Sequence, residues 1–146
     1  MGRLRPITYG PGMRFQRTEQ PLHLNGLADA RKFFAGCLEE EDPSRETLWV
    51  AHVDDQSRCI HVSRHVGDEA EAMIPVREII ADALRHGTIG IVLAHNHPSG
   101  DPRPSESDFR ATRRLATAAE AIDCTLVDHL VFGGSECTSL RRLGYL

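Results

Sequence analysis

Apolar positions along the 146-residue chain recur with two periods, one helical and one extended, and the switches between them outline the fold. Leu27 to Glu40 spaces Leu27, Ala30, Phe33, Phe34, Cys37 and Leu38 three and four apart, which predicts a helix with one inner face. Glu46 to Val53 and Cys59 to Val66 read as two strands joined by a polar turn at 54–57. Val76, Ile79, Ile80, Ala83 and Leu84 predict a second helix from Val76 to His86, stopped by Gly87. Thr88 to Ala94 is short, apolar and rich in β-branched residues, the pattern of a strand buried on both faces. A third helix is expected after Ser105, its N-cap, with Phe109, Leu115, Ala116, Ala119 and Ile122 turned inward. Thr125 to Phe132 then reads as a strand, 133–135 as a turn and Glu136 to Leu140 as a short final strand.

Strand, helix, strand, helix, strand is an α/β order, and it predicts a three-layer domain with helices on both faces of the sheet. The early hairpin makes that sheet mixed. The length suits one domain, placed at 27–146, preceded by an N-terminal arm at 1–26. Arg3, Arg5, Arg14 and Arg17 face no acid within the first eighteen residues, and Pro6, Gly10, Pro11 and Gly12 break any regular element there. Such an arm either touches an acidic partner or is a solvated terminus.

The formal net charge of −4 weighs against nonspecific binding to a nucleic-acid backbone. No apolar run is long enough to span a membrane and no secretory signal is present, so a cytoplasmic location is expected. Cys37, Cys59, Cys124 and Cys137 contain no CxxC pair and read as buried, reduced thiols.

The chemistry concentrates in one stretch. His95 and His97 lie two apart at the end of the apolar strand, so on an extended chain both imidazoles point to one side while Asn96 faces away. Pro98, Gly100, Pro102 and Pro104 force a loop, after which Asp108 falls in the first turn of the third helix. Each residue has an ordinary reading alone: a packed histidine, a helix N-cap at Ser105, a first-turn acid at Asp108 that suits the helix dipole. Their joint spacing points instead to a metal site. Two His and one Asp leave a fourth tetrahedral position for water, the pattern of a catalytic zinc site.

His95, His97, Ser105 and Asp108 resemble the JAMM motif, H-x-H-x7-S-x2-D, of the JAB/MPN metallopeptidases. The run HNHPSGDPRPSESD is similar to the hallmark block of the RadC family within that group, and the similarity extends from about Leu27 to the C-terminus. The resemblance implies the JAB/MPN, cytidine-deaminase-like architecture, a Zn2+ ion held by His95, His97 and Asp108, and hydrolysis of an amide bond. It implies that Glu46, opening an early strand, carries protons for a metal-activated water, with Glu78 as its competitor. Ser105 would donate to the developing oxyanion. Asp128 and His129 resemble a family DH pair with a structural or ligand-supporting role. The other histidines, His23, His52, His61, His65 and His86, lack partners at ligand spacing. Larger RadC proteins carry an N-terminal helical region for which these residues have no room, so nothing of its role carries over.

The implied partner is a protein or peptide substrate, with no membrane and no nucleic acid. A noncatalytic accessory role in DNA metabolism, an association that the RadC name carries, is the alternative. Zinc-dependent deamination requires HxE with PCxxC, and neither occurs.

Overall fold

The computed structural model describes residues 22–67 and 74–146, together with the backbone of two short strands, β1 (Ile7–Thr8) and β2 (Arg14–Phe15). Those two pair antiparallel. The rest of the arm ahead of Leu22, including Arg3, Arg5, Pro6, Gly10, Pro11, Gly12 and Arg17, lies outside the described residues.

The domain then runs α1 (Leu27–Glu39), β3 (Thr47–Val53), β4 (Cys59–Val66), α2 (Val76–His86), β5 (Gly90–Asn96), α3 (Glu106–Ala121), β6 (Thr125–Gly133) and β7 (Glu136–Ser139). Its five-stranded sheet has the order β4-β3-β5-β6-β7. Only β5 and β6 pair in parallel, which the α3 crossover between them allows; the other pairs are antiparallel. The sheet is mixed and the class is α/β.

Alternation along β3 divides the core. Trp49, Ala51 and Val53 pack with Ala30 and Phe34 of α1, whereas Leu48 and Val50 pack with Ile79 and Ala83 of α2 and Leu115 and Ala119 of α3. Every residue of β3 is therefore buried, since the strand is covered on both faces. Leu24 already belongs to the α1-side core, and the segment ahead of α1 is tied to the β3–β4 turn by Leu24 N–H donating to Ser57 O and Cys59 N–H donating to Leu22 O.

Three expectations shift. The motif strand starts at Gly90, because Gly87 takes a left-handed conformation (φ 64°) and both its N–H and that of Thr88 turn back to Ala83 O, closing α2. Strand β6 extends through Gly133, against which the motif loop packs. On α3 the fully buried positions are Asp108, Thr112, Leu115 and Ala119; Phe109 instead stacks on Tyr145 with ring centroids 4.1 Å apart. No disulfide joins the four cysteines, of which Cys59 and Cys124 are buried and the other two half-buried. Among the described residues no helix is long and apolar enough to cross a membrane.

Candidate metal centre

Strand β5 delivers His95 opposite Leu48 of β3 and Val131 of β6, on the sheet face covered by α2 and α3. His97 follows, its N–H donating to Phe132 O as the ladder's last bond. The capping box at the start of α3 aims the third group: Asp108 N–H donates to Ser105 Oγ at 3.1 Å, and Ser105 N–H donates to Asp108 Oδ2 at 2.8 Å. One donor atom from each of His95, His97 and Asp108 lies within 4.8 Å of the others. His95 Nε2 is 3.4 Å from Asp108 Oδ1, and His97 Nε2 is 3.0 Å from Asp108 Oδ2. Bonds of ~2.0–2.1 Å in a tetrahedral zinc site put neighbouring ligand atoms ~3.3 Å apart. The observed spacings bracket that value.

Hydrogen bonds behind the rings set which nitrogen faces inward. A carbonyl only accepts, so the 2.8 Å contact of His97 Nδ1 with Asp101 O puts the proton on Nδ1 and turns Nε2 towards Asp108. For His95 the same result comes through a relay. Thr112 Oγ1 gives its only proton to Asp108 O at 2.6 Å, so it accepts from His129 Nδ1–H, also at 2.6 Å. His129 Nε2 is then left to accept from His95 Nδ1–H at 2.7 Å. Complete burial holds His129 well below its ordinary pKa, so it stays neutral and the relay keeps its direction. His95 Nε2 is left as a bare lone pair, buried and without a partner. An orphaned buried acceptor costs about 1–3 kcal/mol, and a cation between the two rings removes that cost; the residues present fit a zinc ion. Burial pushes the Asp108 carboxyl up, but the imidazoles of His95 and His97 facing it and the Ser105 N–H that donates to it outweigh burial and keep the group ionised, as a ligand must be. The Asp108 hydrogen bond raises His97, so without metal a proton competes for Nε2.

Glu46, just ahead of β3, reaches the same place. It lines a cleft of about 40 Å³ with Leu48, His65, His95, Asp108 and His129, more than the ~10–15 Å³ that one water requires. Burial raises its carboxyl above the ordinary range, opposed by His95 and His97 and reinforced by Asp108. Asn96 fixes its backbone from both sides: Nδ2 donates to Arg45 O and Oδ1 accepts from Thr47 N–H, each at 2.8 Å. Glu78 does not reach the cleft; its side chain is 71% exposed and lies 3.7 Å from His65 Nδ1.

A family model described as a RadC-like JAB domain matches residues 24–145. The chain belongs to the RadC-like JAB domain family. It is similar to a UPF0758 protein of Cellvibrio japonicus (strain Ueda107), 39% identical over 104 residues, which cover 70% of this chain and 46% of that protein. A UPF0758 protein of Vibrio atlanticus (strain LGP32) is 37% identical over 107 residues, 72% of this chain and 47% of that one. A UPF0758 protein of Pelodictyon phaeoclathratiforme (strain DSM 5477 / BU-1) is 34% identical over 124 residues, 84% of this chain and 55% of the relative. The chain spans about half the length of these curated relatives.

Within this RadC-like domain Ser105 is exposed and occupied as the N-cap, its Oγ also 3.0 Å from Ser107 Oγ, and it does not line the cleft. The Asp128–His129 pair divides its work. His129 faces His95, while Asp128 ties β6 to the chain beyond β7 by accepting from Ser139 Oγ, His129 N–H and Arg141 N–H. Sequence reasoning missed Thr112, although it stands one helical turn after Asp108, the signal that would have found it. The expectation that His52 and His61 lack partners is overturned: strand register sets them opposite one another, and Asp82 of α2 joins them. Burial drives the Cys59 thiol up to about 12 and the Cys137 thiol up to about 11, so neither supplies a thiolate nucleophile near neutral pH.

Proposed function

We propose that this RadC-like JAB domain is a zinc-dependent hydrolase of the metallopeptidase type, cleaving a peptide or isopeptide bond in a protein substrate. The observation that carries the reading is the partnerless, buried Nε2 of His95 facing Asp108 and His97 in a three-donor set with one position open. His95 and His97, through Nε2, and Asp108 would hold the ion. When bound, zinc supplies a Lewis acid that polarises a carbonyl and lowers the pKa of water towards ~7.

The remaining chemistry belongs to the chain. Glu46 takes a proton from water in the cleft as the water oxygen bonds to the carbonyl carbon, then hands it to the amide nitrogen as the C–N bond breaks, leaving a carboxylic acid and an amine. A carboxyl raised by burial suits both halves of that exchange. Ser105 Oγ accepts at the helix cap, so its own hydroxyl proton goes either to Ser107 Oγ or, in the proposed reaction, to the carbonyl oxygen as charge develops there. A protein substrate is favoured over a nucleic acid by the net charge of −4 and by a donor set with no carboxylate to bridge the paired ions of a two-metal nuclease.

The test presents protein conjugates, unstructured peptides, and single- and double-stranded DNA to the zinc-loaded protein, with a chelator and Glu46→Gln as controls. Amide cleavage that the chelator and Glu46→Gln both abolish is the expected result. Chelator-sensitive DNA cleavage lost in Glu46→Gln, with no amide cleaved, contradicts the reading. No cleavage of any substrate favours the accessory, noncatalytic alternative.

A further inference from the structure

At the far end of β3, a second group of side chains repeats the donor set of the first centre. His52 lies four residues along the strand from Leu48, the residue opposite His95, which puts it ~14 Å away on the same sheet face. Across the ladder it faces His61 of β4, and α2 brings Asp82 down onto both. We propose that His52, His61 and Asp82 form a second metal site, which takes one borderline divalent ion of the zinc type and clamps β3, β4 and α2 together.

Three observations support it. The geometry matches: the rings of His52 and His61 sit edge to face with centroids 5.2 Å apart at 60°, against 4.9 Å and 65° for His95 and His97. Donor atoms of the three residues fall within 4.8 Å of one another, and His61 Nε2 to Asp82 Oδ2 is 3.5 Å, close to the ~3.3 Å edge of a tetrahedral zinc site.

The second observation is an unsatisfied buried nitrogen. His52 is 0% exposed, its Nδ1 is 2.9 Å from Thr88 Oγ1, and its Nε2 has no partner. In the tautomer in which Thr88 Oγ1 accepts from Nδ1–H, that Nε2 presents a lone pair in a place water does not reach. Burial keeps the imidazole neutral by lowering it to about 4, and burial lowers His61 as well, so both rings are in the ligand form at neutral pH.

The third is how Asp82 is held. Arg85 Nη1 takes Oδ1 at 2.8 Å, which orients the carboxylate and leaves Oδ2 towards His61. The guanidinium is itself a like charge to the ion, but it is 66% exposed and therefore screened. His86, one turn further along α2, stacks on His61 with ring centroids 4.1 Å apart. Two imidazoles and one carboxylate select zinc, nickel or copper over magnesium and calcium, which require oxygen donors throughout.

The test separates the two centres. Chelator-treated protein is dialysed against micromolar free Zn2+ and its metal content measured for the wild type, for His95→Ala/His97→Ala, and for that double variant carrying His61→Ala or Asp82→Asn. The double variant should retain one ion per chain and melt several degrees higher with zinc than without. Each added substitution should abolish both effects, with circular dichroism and the metal-free urea midpoint confirming the fold. As a measurement that needs no further variant, zinc titrated into the double variant should shift the imidazole carbon-bound protons of His52 and His61 but not of His23. A double variant that retains no ion, or one whose ion survives His61→Ala and Asp82→Asn, overturns the proposal, as does a titration that leaves the His52 and His61 signals unmoved. None of these outcomes depends on whether the first centre is catalytic.

Discussion

His129 Nε2 lies 2.7 Å behind His95 Nδ1, and Thr112 fixes the direction of that hydrogen bond. The pair decides which nitrogen of His95 is bare. His129→Ala should therefore weaken zinc at the His95–His97–Asp108 centre by about 10- to 100-fold, the range for losing a partner behind a ligand. Thr112→Val, which keeps the side chain's shape, should act in the same direction. Competition with a chromophoric chelator measures both; unchanged affinity in the two variants would mean that His95 needs no support from behind.

Asn96 offers a way to separate the proposed proton transfer from metal binding. Its side chain grips the peptide groups on both sides of Glu46. Asn96→Ala should keep zinc stoichiometry and lower kcat by on the order of 10²-fold, as expected when a catalytic group moves by about 1 Å. Parallel loss of zinc and kcat would place its effect on the metal instead.

Gly133 is where the motif loop rests on β6. A Cβ there would stand 2.5 Å from Pro102 N, 2.6 Å from Asp101 C and 2.8 Å from Gly100 O, all backbone atoms that yield only if the loop moves. Gly133→Ala should cost about 1–3 kcal/mol in urea unfolding, the range for overpacking. It should also weaken zinc, because Asp101 O is the acceptor that orients His97. Wild-type values of both would show that the loop seats elsewhere.

Acid should destabilise the metal-free protein through His52. Its folded pKa is lowered from 6.5 to about 4, so between those values the unfolded chain binds the extra proton and stability rises with pH. Moving from pH 7 to pH 5 in chelator should then remove about 2 kcal/mol for this one group. His61, His65 and His129, also lowered mainly by burial, act with the same sign. His97 and Glu46, which are raised, act with the opposite sign, so the check compares the change in urea midpoint from pH 7 to pH 5 between the wild type and His52→Gln; an equal change in both would contradict a neutral, buried His52.

The first centre was legible because its parts are local. His95, His97 and Asp108 fall within one strand, loop and helix start, and the prolines, Ser105 and Asp108 announce each boundary. The two amphipathic helices α1 and α2 were legible for the same reason, their inner faces written in consecutive turns. What escaped depends on tertiary register. His52 and Asp82 are thirty residues apart and meet only because β3 pairs with β4 and α2 docks across both. Gly133 reads locally as a turn, yet it is glycine because another segment's backbone lies on it. Phe109 has helical spacing with Leu115 and Ala116, but Tyr145 near the chain's end offers it a stacking partner away from the main core.

The most direct measurement is an anomalous difference map, collected on both sides of the zinc absorption edge, from crystals of protein dialysed against zinc and then washed. A peak about 2.0–2.1 Å from His95 Nε2, His97 Nε2 and an Asp108 oxygen, absent from crystals of His97→Ala, is the expected result. A map with no peak between those three side chains, from crystals in which zinc appears elsewhere on the chain, would contradict the metal centre and with it the hydrolase reading.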